Sequence, residues 1–235
     1  MRIRFSRHHK LTTLACLFIS NLALAGGGGA PADPGPNPNP SIADVPGNKV
    51  QNGNFEQIDA TVGERNNHPL NDVGWRGWDM YQRIPYWFTS FGAGIEVQRS
   101  AAVYPVTTYG GGQYIELASD TNGTDAVNSW MTQRIPNLTT GQQYLLQFVY
   151  HRNPNTSSEQ DRGIAVYWGK HIPGKLACIA NASNAENAWK DISCNMTATG
   201  NTMYLTFASF GEESTTTWGN GVGGLIDIVR LTQAP

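Results

Sequence analysis

Every second residue from Tyr144 to Tyr150 is large and apolar: Tyr144, Leu146, Phe148 and Tyr150. A period of two belongs to an extended strand, so these four share one face, while Gln147 and His151 fall on the other. An amphipathic helix has no use for that spacing. Other runs rich in β-branched and aromatic residues occur at 49–56, 87–90, 94–99, 113–118, 130–135, 163–168, 189–196, 203–210 and 225–231, with turn-forming clusters between them. Helical periodicity is almost absent and no internal repeat is visible. So many short strands around one core predict an all-β fold, a two-sheet jelly-roll β-sandwich.

The ends of the chain are organised differently. Residues 1–10 carry Arg2, Arg4, Arg7 and Lys10, residues 11–24 are mostly apolar, and Ala23-Leu24-Ala25 supplies the small residues of a cleavage point. Residues 1–25 therefore read as a cleaved secretory signal peptide; the apolar run is too short and too interrupted to span a membrane. Residues 26–48 read as a tether, because Gly and Pro there forbid both helix and ladder and little is available to bury. One folded domain is expected over residues 49–232.

Export also fixes how charge and cysteine are read. The leader takes four of the 16 basic residues, leaving 12 against 18 acids and a mature net charge near −6. No basic patch remains for phosphate neutralisation, so nucleic acid is not an expected partner. Cys16 leaves with the leader, and Cys178 and Cys194 are expected to form one disulfide in a secreted, periplasmic or extracellular protein.

Several motifs dissolve on inspection. Residues 219–224 fit G-x-G-x-x-G but lead into a strand-like run where a dinucleotide fold needs a helix. Residues 169–175 have P-loop spacing, but Leu176 stands where magnesium needs a hydroxyl. No G-x-S-x-G elbow and no H-E-x-x-H pair is present, and His68, His151 and His171 are far apart. Residues 120–125 offer oxygen side chains about a glycine turn, a pattern that needs no metal. Sequons at Asn122, Asn137, Asn155, Asn181 and Asn195 carry glycans only in a eukaryotic pathway.

Two features remain. Glu96 and Glu116 sit in neighbouring short strands, where paired carboxylates would serve glycoside hydrolysis if suitably spaced. Aromatic residues (Trp 7, Tyr 9 and Phe 8) exceed what one core of this size requires, and many lie beside glycines or in long polar stretches. Flat rings pack on the apolar face of a sugar, while Arg and Glu read its hydroxyls.

The segments Asn52-Gly53-Asn54-Phe55-Glu56, Ile84-Pro85-Tyr86-Trp87, Gly94-Ile95-Glu96-Val97, Gly112 to Leu117, Thr140 to Tyr150 and Gly224 to Val229 follow one another in a familiar order. In that order the chain resembles the galactose-binding-like jelly rolls, the superfamily of secreted cell-wall proteins and carbohydrate-binding modules. The resemblance implies a structural calcium held by Glu56 and Asp227, although Ile228 stands where many relatives have a second acid. It implies a non-catalytic protein that binds a polysaccharide or glycan of a cell wall, matrix or surface. Trp78 and Trp87 are the expected stacking platforms, with Glu116 and Arg152 as hydroxyl partners. The rivals are a glycosidase or polysaccharide lyase on the same fold, and a matrix or adhesion protein whose partner is another protein.

Overall fold

The structure is a computed structural model and describes residues 45–58, 77–92, 94–99, 106, 108–119, 127–154, 163–181, 188–210 and 223–235. The leader, the tether up to residue 44, Trp75, Trp218 and the 120–125 turn lie outside the described residues.

Among the described residues fourteen strands follow in chain order: β1 (Trp78–Tyr81), β2 (Arg83–Ile84), β3 (Trp87–Phe91), β4 (Ile95–Arg99), β5 (Gln113–Glu116), β6 (Ala118–Ser119), β7 (Val127–Asn128), β8 (Trp130–Ile135), β9 (Gln143–His151), β10 (Gly163–Gly169), β11 (Lys175–Ala180), β12 (Lys190–Thr197), β13 (Met203–Phe210) and β14 (Leu225–Gln233). They form a two-sheet jelly-roll β-sandwich. The first sheet has the order β1-β4-β5-β14-β9-β12 and the second β11-β10-β13-β8-β3-β2, while β6 and β7 make a small ribbon. All pairings are antiparallel.

The alternation in β9 does what its spacing predicts: Tyr144, Leu146, Phe148 and Tyr150 enter the core. An aromatic spine crosses that core. Phe55 contacts Trp87 at 5.8 Å between ring centroids, Trp87 contacts Phe207 at 6.0 Å, and Phe207 meets Phe148 edge-on at 5.1 Å. Because Trp87 and Phe207 belong to the second sheet and Phe148 to the first, these rings join the two layers. Each such pair contributes about 0.5–1.5 kcal/mol beyond its buried area.

Residues 49–56 do not form the expected strand. Asn52 and Phe55 take positive φ, 47° and 59°, which no strand permits. The Asn52 amide donates to the carbonyls of Gln57 and Pro85 and its oxygen accepts from the Gln57 N–H, which holds the segment as an irregular plug. Gly53 lies so close to β14 that a Cβ there would meet the Val229 carbonyl oxygen at 2.1 Å. The strands β1, β2, β7 and β11 are additions to the sequence expectation. β11 reads Lys-Leu-Ala-Cys-Ile-Ala, whose lysine and alanines are poor strand formers, so it is held by pairing with β10 rather than by propensity.

Cys178 on β11 and Cys194 on β12 form the expected disulfide, which staples the edge strand of one sheet to that of the other. The bridged residues are 16 apart in sequence. Replacing both by alanine is expected to lower the unfolding free energy by about 3 kcal/mol, read as an earlier denaturant midpoint. An unshifted midpoint would show that the staple carries no stability.

Candidate functional site

Each sheet has an outer face, and the two faces are chemically different. On the first sheet, cross-strand pairing places Met80, Glu96, Glu116, Leu225 and His151 in one row and Trp78, Gln98 and Tyr114 in the next. Glu96, Gln98, Tyr114, Glu116 and His151 are all buried. The Gln98 amide donates to both carboxylates, at 2.7 Å to Glu96 and more closely to Glu116. Glu116 also accepts from the Asn153 amide at 2.7 Å and the Gly223 N–H at 3.1 Å. Trp189 closes the cluster, standing edge-on to Tyr114 at 5.9 Å and His151 at 5.3 Å. Burial, and then the Glu116 and Glu96 charges, push the Tyr114 phenol well above its ordinary value.

This geometry tests the acid pair directly. Two oxygens that accept from one nitrogen lie within about 6 Å of each other, so Glu96 and Glu116 are close enough for hydrolytic spacing. The space between them, however, holds an amide. What the arrangement does is satisfy two buried acids through one hydrogen-bond network.

The second sheet keeps its aromatics half exposed. One outer row runs Phe88, Thr132, Thr206, Tyr167, Leu176, and the next runs Phe91, Trp130, Ala208, Ala165, Ile179. Five strands at the usual spacing make a band about 19 Å wide. Thr132, Thr206, Ala165 and Ala208 form a fully buried floor, and Phe88, Phe91, Trp130 and Tyr167 remain half-buried. Phe91 packs on Trp130 at 4.9 Å, and Trp130 stacks on Tyr167 at 5.9 Å with 27° between the rings. Beneath them the hydroxyls of Ser90, Thr132 and Thr206 share hydrogen bonds of 2.7 and 2.8 Å. Among the described residues the buried indole N–H of Trp130 has no hydrogen-bond partner. Side chains of one row stand on small neighbours of the next, and that size contrast leaves a broad aromatic surface.

Two of the expected ligand residues are therefore corrected. Trp87 is not an exposed platform: it is fully buried in the spine, with its indole N–H donating to the Asn52 carbonyl at 3.1 Å. Glu116 is not a free hydroxyl partner, since it is 1% exposed and already accepts from three groups. Trp78 is half-buried at the start of β1, paired across strands with Gln98. Arg152 is half-buried just past the end of β9, with its Nε unpartnered. Neither belongs to the band. The residues missed were Phe91, Trp130, Leu176 and Ile179. Their signal was available: β8 and β10 carry large apolar residues on both faces, which one core cannot absorb.

Glu56 and Asp227 do come together. A Glu56 oxygen accepts from the N–H groups of Gly112 and Gln113 at 2.7 and 2.9 Å, and an Asp227 oxygen accepts from those of Tyr109 and Gly110 at 3.3 Å each. The two carboxylates thus clamp one turn. Gly111, at φ 138°, is required there because a Cβ would meet the Glu56 carboxylate at 2.2 Å. The other Asp227 oxygen accepts from Ile228 N–H at 2.7 Å, at a break in strand register where Ile228 takes φ 48°. Burial, with the Glu56 charge adding to it, pushes the Asp227 acid up to about 8 against the pull of its amide donors. Burial also raises Glu56. Among the described residues no three His, Cys, Asp or Glu side chains converge. The two carboxylates supply hard oxygens of the kind calcium takes. A cleft of about 320 Å³ lined by Glu56, Arg99, Gly112 and Gln113 opens beside the turn.

A raised native pKa means that the folded state binds the Asp227 proton more tightly than the unfolded one, whose value is near 4. The resulting stability is complete below pH 4 and is lost as pH rises towards 8. In chelator, the melting temperature of the wild type relative to Asp227→Asn is expected to fall across that window. A constant difference between the two would refute the assignment.

No protein-family model matches the sequence, and no curated protein matches it. Solved structures do. A Stig cyclase from Fischerella sp. TAU, in complex with a pyrrolidinylidene indole, aligns at a TM-score of 0.50 and 14% identity, covering 79% of this chain and 96% of that one. A CBM61 structure with β-1,4-galactotriose aligns at 0.45 and 17%, over 80% and 99%. The K2 cleaved adhesin domain of Lys-gingipain aligns at 0.44 and 17%, over 63% and 91%. At these identities the likeness is one of fold.

Proposed function

We propose that this is an exported, non-catalytic β-sandwich that holds a glycan of a cell wall, matrix or cell surface across the aromatic band of its second sheet. The observation that carries this reading is the half-exposed stack of Phe91, Trp130 and Tyr167 over a floor of small buried residues. Ordinary cores hide such rings; a sugar ring uses them, because its C–H face is apolar while its rim is polar. The leader-like residues 1–25 and the disulfide support an oxidising destination.

The test is a glycan array on the protein, followed by titration of each hit with Trp130→Ala and Tyr167→Ala. Each substitution is expected to weaken binding by on the order of 1–3 kcal/mol, by analogy with base stacking on aromatics. Trp78→Ala and Arg152→Ala are expected to bind as the wild type does. The opposite pattern would move the site to the first sheet, and reducing-sugar release from any hit would favour a hydrolase.

Calcium is proposed as a structural ion at Glu56 and Asp227, where it would tie the opening segment and the last strand to the 108–113 turn. Binding only the folded state, it should raise the melting temperature of metal-stripped protein. Asp227→Ala should abolish that rise. A wild type insensitive to calcium would leave the pair as a carboxylate clamp alone.

A further inference from the structure

At one open side of the sandwich the edge strands of both sheets meet, β11 from the second and β12 from the first. The disulfide joins them, and the Trp168 indole reaches across to donate to the Thr197 carbonyl at 2.8 Å. A groove of about 610 Å³ runs along this side beneath the 169–174 turn. Three observations set it apart from an ordinary sandwich edge.

The first is hydrophobic. Of the four large apolar side chains exposed among the described residues, three lie on β11 or the turn that leads into it: Ile172 at 40%, Leu176 at 51% and Ile179 at 40%. Clustered apolar exposure marks contact surfaces, whereas scattered exposure does not. The second is the backbone. Among the described residues β11 is paired only with β10, so the N–H and C=O groups of its other edge have no strand partner. The third is charge. Lys170, His171 and Lys175 line the groove and, among the described residues, no Asp or Glu does, although acids outnumber Lys and Arg by 18 to 16 in the chain.

We propose that this edge captures an extended, acidic segment of a partner protein, which adds a strand to β11. Strand addition uses the row of backbone groups for affinity and pockets for alternate side chains for selection. Here Leu176 and Ile179 receive apolar side chains on the outer face, and the lysines of the groove receive carboxylates. Lysine on an edge strand discourages pairing between like copies, so the same charges that admit an acidic strand turn away a second copy of this chain. The disulfide fixes both edges in place before binding, which reduces the ordering cost of association. This inference does not depend on the glycan reading, because it rests on the groove and the free edge of β11; the two surfaces meet at Leu176 and Ile179, which end the aromatic band.

The experiment is an amide chemical-shift titration of the ¹⁵N-labelled protein with a short capped peptide of alternating valine and glutamate, up to about 1 mM, the weak end of specific docking. Residues 176–179 are expected to shift and to gain protection from hydrogen exchange. The same peptide with lysine for glutamate should leave them unmoved, and so should an acidic peptide N-methylated on alternate residues, which cannot complete a ladder. Lys170→Glu combined with Lys175→Glu, both on the surface, should weaken the acidic peptide at least about tenfold. The proposal is overturned if the acidic peptide shifts none of these amides. It is equally overturned if the N-methylated peptide binds as well, if an acidic oligosaccharide shifts the same amides where the peptide does not, or if protein concentration alone reproduces the change.

Discussion

Trp87 is the residue on which the rest of the structure leans. Its ring lies between Phe55 of the opening segment and Phe207 of the second sheet, and its indole N–H holds the Asn52 carbonyl. Asn52 in turn fixes the turn at Pro85 that presents Trp87. The loop of dependence is closed. Gly53 lets this plug touch β14, so the segment that positions Trp87 also meets the break in register that places Asp227. Large-to-small changes at such aromatic sites cost about 3–5 kcal/mol, and here the loss would propagate to the carboxylate clamp.

That dependence explains why Asn52 to Glu56 reads as a motif. Asn52 organises the plug, Gly53 allows the approach to β14, Phe55 enters the spine and Glu56 holds the turn before β5. Those roles were legible in part. The β9 alternation, the sandwich architecture and the disulfide follow from patterns that local physics imposes on sequence, whereas the convergence of Glu56 with Asp227 was implied only by the resemblance to galactose-binding-like jelly rolls. The strand expected over residues 49–56 failed because side-chain hydrogen bonds from Asn52 outweigh β propensity. Trp87 was misplaced for a different reason: the strand expected over 87–90 does not say which face a side chain takes, and only pairing with β8 shows that this one points inward.

The two outer faces show what sequence periodicity leaves open. Both sheets alternate, and alternation does not say which residues on the second face will find cover. On the first sheet, Glu96 and Glu116 both accept from the Gln98 amide beneath Trp189, and the polar side becomes interior. On the second, Ala165 and Ala208 are too small to hide Trp130, so an aromatic surface results. The proposed ligand face is set by a difference in side-chain volume across neighbouring strands.

The central claim is that the ligand meets Trp130 while the buried tryptophans do not. Indole N–H resonances separate these residues in one spectrum of ¹⁵N-labelled protein. On adding a bound oligosaccharide, the account predicts that the Trp130 resonance moves while those of Trp87 and Trp168, held by the Asn52 and Thr197 carbonyls, stay in place. A Trp130 resonance that stays fixed while that of Trp78 or Trp189 moves would contradict it.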